Sequence, residues 1–156
     1  MGFQLSSEEL GELASRLGAP MEKGVHSLLI SVPRGRAKEA CAAIAALPGF
    51  YHLSTITAVD TGDAIELLYH FWKGKSFVAI RTELPKESLT ADSISGLLAS
   101  ATLYEAEIQD LFGVNFIGNP YAGRRLLLPD SYPQDAPPPL RVEADPEKIR
   151  RLMELE

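Results

Sequence analysis

Glu107 and Asp110 stand three residues apart in a segment of helical period, and that spacing puts both carboxylates on one helix face, roughly opposite Tyr104, Ile108 and Phe112. Two acids leaving a helix together suit general acid–base chemistry or hard-metal binding, but both need further groups converging from elsewhere, and none is evident. Arg124 and Arg125 follow a short return loop and offer a simpler destination, because a guanidinium can bridge a carboxylate and lock the loop to the helix. A structural ion pair is therefore the expectation, and a small hydrolase using Glu107, Asp110 and a histidine the alternative. His26, His52 and His70 sit on different expected strands without HxH or HxxxH spacing, so they read as structural histidines rather than a zinc site. Cys41, the one cysteine, lies in the small apolar run Ala40-Cys41-Ala42-Ala43-Ile44 and reads as a buried, inert thiol. Pro33-Arg34-Gly35-Arg36 between a strand and a helix is the nearest approach to an anion site, but it lacks spaced glycines and reads as an ordinary connection.

The elements that must hold these groups follow from periodicity. Ser6 or Ser7, then Glu8 and Glu9, then Leu10, Leu13 and Leu17 before Gly18 and Pro20 predict a capped amphipathic helix. Residues 25–32 alternate as a strand, Pro33-Arg34-Gly35 breaks it, and an Ala-rich helix then runs to about Leu47. Strands at about 50–59, 64–72 and 77–84, joined at Thr61-Gly62-Asp63 and Lys73-Gly74-Lys75, predict an antiparallel meander. In the middle strand Ile65, Leu67, Tyr69 and Phe71 share one face while Glu66, Leu68, His70 and Trp72 take the other, so both faces should be at least partly covered. Helical period returns from Asp92 and stops at Gly113. Gly118-Asn119-Pro120 reads as a turn, and Arg124-Arg125-Leu126-Leu127-Leu128-Pro129 as a short apolar segment suited to a sheet edge or a partner. The expected fold class is α+β, a two-layer sandwich with helices packed on a mixed, mainly antiparallel sheet over residues 1–128. Pro133, Pro137, Pro138, Pro139 and Pro146 predict an extended proline-rich tail over 129–156, ending in a short charged helix from about Asp145.

At 156 residues with 46% hydrophobic content, one domain with a full core is expected. A net charge of -6 argues against nucleic acid as a partner. One cysteine cannot form an internal disulfide or a cysteine-ligated cluster, and no glycine-rich phosphate loop is present. With no long apolar run and no basic-then-apolar start, the chain is expected to be soluble or peripheral, without direct membrane insertion.

Residues 104–129 resemble the signature of the thirty-kilodalton subunit family of respiratory complex I (NADH:quinone oxidoreductase) and its relatives in energy-converting nickel–iron hydrogenases. The match runs through Glu105, Glu107, Asp110, Leu111, Phe112, Gly113, Phe116, Gly118, Pro120, Arg125 and Pro129 and continues to Pro139-Leu140-Arg141. An Asp60-to-Phe71 hairpin and a Ser93-to-Ser100 helix fall in the family's order, and the chain departs from the usual pattern at Ala106, Asn119 and Val142. The resemblance implies a scaffold and assembly subunit of the hydrophilic arm, on the cytoplasmic face of a membrane-associated oxidoreductase. Such a protein has no catalytic, metal or cofactor site of its own. It docks on the large subunit beside the small iron–sulfur subunit and meets membrane subunits only indirectly. Iron–sulfur clusters and a quinone or nickel–iron site then belong to the partners. In this reading Leu128, Pro139, Leu140 and Arg141 meet the large subunit, and Tyr69-His70-Phe71 leans toward the hydrogenase-associated members. A free-standing adaptor with a proline-rich binding tail is the other alternative.

Overall fold

The computed structural model describes residues 7–24, 27–49, 52–73 and 76–153. His26, Ser6 and the Gly74 turn lie outside them. Helix α1 (Ser7–Leu17) buries Leu10, Leu13, Ala14 and Leu17, one stripe at helical spacing. Strands β1 (Met21–Lys23) and β2 (Ser27–Ser31) follow, and β2 leads through a single 3-10 turn at Arg34–Arg36 into α2 (Ala37–Ala45). Arg36 fixes that corner by donating to the Leu17 carbonyl at the end of α1 and pairing with Glu39, while Arg34 donates to the Ser88 carbonyl and hydroxyl. Both arginines of the candidate anion motif thus make structural contacts.

The meander forms as β3 (His52–Asp60), β4 (Ala64–Lys73) and β5 (Ser76–Pro85). The five-stranded sheet has the order β1-β2-β5-β4-β3, parallel between β2 and β5 and antiparallel elsewhere. Ile65, Leu67, Tyr69 and Phe71 are fully buried on the face under the helices. Glu66, Leu68 and His70 on the reverse face are half-buried and Trp72 is exposed, so this side is only partly covered. His70 Nε2 shares a 2.9 Å hydrogen bond with Thr57 Oγ1, and His52 lies edge-on to the Trp72 ring. The α+β sandwich is as expected.

Strand β6 (Thr90–Asp92) pairs in parallel with β7 (Asn115–Ile117), bracketing α3 (Ala101–Phe112). The expected Ser93-to-Ser100 helix does not form. Ser93 Oγ instead accepts from the Ser95 amide, and isolated turns close at Leu97, Leu98 and Ala101. A serine hydroxyl that satisfies a nearby amide competes with the helical ladder. Gly113 ends α3 in the left-handed conformation at φ 75°, its amide donating to the Gln109 carbonyl. A Cβ there would meet Pro138 Cγ at 3.0 Å, so glycine also admits the tail.

The tail corrects the expectation of an extended arm. Proline lacks a donor but keeps its carbonyl, and Pro129, Pro133 and Pro138 each accept the amide three residues on, giving a chain of turns. The Tyr132 ring is buried, and its hydroxyl donates to the Pro137 carbonyl at 2.6 Å. Beyond the turns the chain folds back on its own domain and ends in α4 (Pro146–Leu152), capped by Asp145 accepting from the Glu147 amide. Among the described residues no helix is long and apolar enough to cross a membrane.

Candidate functional site

Helix α3 presents acids in three different environments. Glu107 is exposed. Asp110 is buried at 7% exposure, and its Oδ2 accepts the consecutive amides of Leu126, Leu127 and Leu128 at 2.8, 2.7 and 3.1 Å. Three amides converging on one carboxylate oxygen form an anion-binding concavity within the chain itself. The expected pairing of Glu107 and Asp110 with Arg124 or Arg125 is therefore wrong, and no such ion pair occurs among the described residues. Backbone donors in a tight loop satisfy the acid without ordering a long side chain. Arg125 turns the other way: its Nη1 donates to the Pro129 and Tyr132 carbonyls at 2.7 and 3.0 Å, and its guanidinium lies 5.7 Å from the centre of the Tyr132 ring. Gln109, between the two acids, donates to the Arg124 carbonyl and accepts from the Gly123 amide.

The segment 124–129 is thus neither a strand nor a free flap. Its backbone faces α3, which leaves Leu126 and Leu127 exposed, Leu127 at 55%. The Leu140 amide donates to the Leu111 carbonyl and Arg141 Nε to the Phe112 carbonyl. Asp110, Leu111 and Phe112 are consecutive, so the loop and the tail flank one helix end. Leu128 and Pro139 there are half-buried, while Leu140 and Val142 are exposed. Arg141 uses its guanidinium within the chain, pairing with Glu143 at 2.7 Å. Glu143 in turn meets Lys86, and Lys86 meets Asp60, whose carboxylate also accepts the Val142 and Gly62 amides. A cavity of about 280 Å³ opens beside this end, lined by Gln109, Asp110, Arg124 and Arg125 among others. With Asp110 already taken up by three amides and Glu107 on the surface, it holds no acid–base pair.

Glu105 is the residue whose environment sequence reasoning missed, since it entered only as part of the signature. It is fully buried at 0% exposure on the core face of α3. Its Oε1 accepts the Ile94 amide at 2.8 Å, and its Oε2 accepts the Ser93 hydroxyl at 2.6 Å and Asn119 Nδ2 at 2.8 Å. Burial raises its carboxyl pKa, against the lowering effect of these donors and of Lys38. Asn119 also donates to the Thr102 carbonyl and accepts the Tyr121 amide, while Pro120 closes the turn behind Gly118. The signal was its position: three residues before Ile108 and four after Ala101, Glu105 falls on a face otherwise apolar. Cys41 is buried as expected, and burial raises its thiol pKa.

Comparison with known proteins finds relatives that share this region. A chain 33% identical over 88 residues is the C subunit of NADH-quinone oxidoreductase from Moorella thermoacetica, covering 54% of this chain and 59% of the relative. The C subunit of F(420)H(2) dehydrogenase from Methanosarcina mazei is 29% identical over 103 residues, covering 64% and 65%. The corresponding NADH-quinone oxidoreductase protein of Thermus thermophilus is 31% identical over 139 residues, covering 79% and 66%. The chain therefore spans about three-fifths to two-thirds of the length of these relatives. Among solved structures, a trypsin-resistant fragment of Nqo5 superposes with TM-score 0.59 at 27% identity over 72% of this chain and 96% of the fragment. A chain of the membrane-bound sulfane sulfur reductase, an archaeal respiratory membrane complex, shares the fold at TM-score 0.79 and 21% identity over 92% and 88%. Residues 30–149, which contain the Glu105 hub, the Asp110 loop and the tail clasp, match the family model described as respiratory-chain NADH dehydrogenase, 30 Kd subunit, and the chain belongs to that family.

Proposed function

We propose that this chain is a subunit of a membrane-associated respiratory or energy-converting oxidoreductase. It carries no redox centre and docks on the large catalytic subunit beside a small iron–sulfur subunit, peripheral to the cytoplasmic face. Iron–sulfur clusters, and a quinone or nickel–iron site, are then the partners' contribution. One observation supports the docking role: Asp110 fixes the loop 126–128 through its backbone and leaves Leu126 and Leu127 exposed, as Leu140 and Val142 of the tail are. A loop whose backbone is already fixed loses less ordering entropy when a partner covers its leucines. The names of the relatives, which are parts of an oxidoreductase and a dehydrogenase, support the class of complex. The hydrolase alternative loses its acid pair because Asp110 is taken up by three loop amides while Glu107 stays exposed.

Co-expression with a large subunit and small iron–sulfur subunit of one genome tests this reading. The expected product is a stoichiometric complex, while the isolated chain shows no visible absorption and no bound metal. Stoichiometric iron, zinc or flavin in the pure chain would overturn the cofactor-free role.

A further inference from the structure

The two edges of the five-stranded sheet are built differently. At one edge, β1 is three residues long and carries Glu22 and Lys23, the short, charged form that discourages further pairing. At the other, β3 is nine residues long, and from Leu53 to Val59 it holds no charge and no proline. Its register shifts only between Leu53 and Thr55, near the start of the strand.

The ladders fix which backbone groups of β3 face outward. The Val32 amide donates to the Arg81 carbonyl, so Arg81 turns its backbone groups to β2. Leu68, opposite Arg81, therefore turns its own to β3 and meets Thr57 there. Thr55 and Val59 share the direction of Thr57. Ile56 and Ala58 point their amides and carbonyls the other way, off the sheet, and no backbone partner meets them among the described residues. At Asp60 the tail arrives, its Val142 amide donating to the carboxylate. The open stretch is thus 55–59, with exposed Thr57 at its centre.

This edge is complementary to itself. Turned about a two-fold axis at Thr57, a second copy lays its β3 antiparallel, with Ile56 opposite Ala58 of the copy and Ala58 opposite Ile56. Each such pair exchanges both of its backbone bonds. On the face away from the helices Thr57 meets its own counterpart and Thr55 meets Val59, uncharged β-branched pairs that suit neighbouring strands. We propose that the outer edge of β3 is a self-pairing surface, through which two copies of this chain join into one continuous sheet. The pairing makes no use of Leu126, Leu127 or Leu140, so it stands apart from docking on a large subunit.

Sedimentation of the pure full chain over a wide concentration range should show a monomer–dimer equilibrium. Thr57→Lys sets two cations against each other at the axis and should leave the chain monomeric where wild type is dimeric. Ala58→Pro removes only an outward amide and should do the same, with circular dichroism showing both variants folded. Thr57 and its counterpart form a pair not hydrogen-bonded to each other, whose Cα atoms lie about 4.5 Å apart, within reach of a disulfide. Thr57→Cys should therefore cross-link into a dimer on air oxidation, while Thr55→Cys and Val59→Cys should cross-link when mixed and not alone. Wild type, whose Cys41 is buried, should form no such bond. A wild-type chain that sediments as a monomer throughout would overturn the proposal. So would a Thr57→Lys chain that dimerises as wild type does, or Thr55→Cys or Val59→Cys chains that cross-link alone as readily as Thr57→Cys.

Discussion

Asp110 and Glu107 differ by one turn of α3 and by almost everything else. Asp110→Ala leaves three loop amides without their acceptor and should cost about 2–3 kcal/mol of stability, measured by urea unfolding. Glu107→Ala, at an exposed helix position, should stay within about 0.5 kcal/mol of the parent. The ion-pair reading would give two comparable losses. Tyr69 supplies a second contrast: its hydroxyl is buried with no hydrogen-bond partner among the described residues, while its ring fills the core under the helices. Tyr69→Phe should therefore raise stability by about 1 kcal/mol, and a loss of that size would show a partner for the hydroxyl. From the sequence one could read that the acids of α3 and the loop after Gly118 belong together. Which donors meet the acids could not be read, because every residue carries an amide and its direction is set by the turn rather than by residue type. Glu105 was hidden for a related reason, since a charged residue on an apolar face is legible as an anomaly but its donors come from Ser93, Ile94 and Asn119, set in contact only by the fold.

Elements with strong periodicity were legible with nearly their true bounds: α1, α2 and the three long strands, while α3 was legible at its Gly113 end but not at its start, Ala101. The short strands β1, β6 and β7 carry three residues each, too few for a period, and β6 and β7 find each other across the whole of α3. The tail was misread because proline's missing donor was weighed and its carbonyl was not. Its clasp gives an acid-sensitivity with a definite sign. Hydrogen bonds from Lys86 and Arg141 pull the Glu143 carboxyl down to about 2 from an ordinary 4.5. Burial would raise Asp60, but the Val142 and Gly62 amides and Lys86 outweigh it and hold it below the ordinary value. Folded-state values below the unfolded ones mean that the clasp contributes in full above about pH 4.5 and is lost as the pH falls toward 2. Exchange at the Val142 amide should accelerate in that window before the sheet melts, and Lys86→Ala should bring the release to higher pH. Deleting residues 140–156 should lower the melting temperature, because it uncovers the end of α3 and leaves Asp60 beside Lys86 alone. An unchanged melting temperature would return the tail to the status of a free arm.

At the scale of the molecule, the helices cover one face of the sheet, and the loop and tail gather at one end of α3. Their polar groups are turned inward to Asp110, Leu111 and Phe112, and their leucines outward. Docking of this end of α3 on a large subunit is tested most directly by affinity purification of the tagged chain from its native membranes, comparing wild type, Leu127→Glu and Phe77→Ser, the last an exposed position at the start of β5. The large subunit should accompany wild type and Phe77→Ser in stoichiometric amount and be lost with Leu127→Glu, whose melting temperature should match wild type. A wild-type chain that purifies alone, or a Leu127→Glu chain that keeps its partner in full, would contradict docking at this end of the helix.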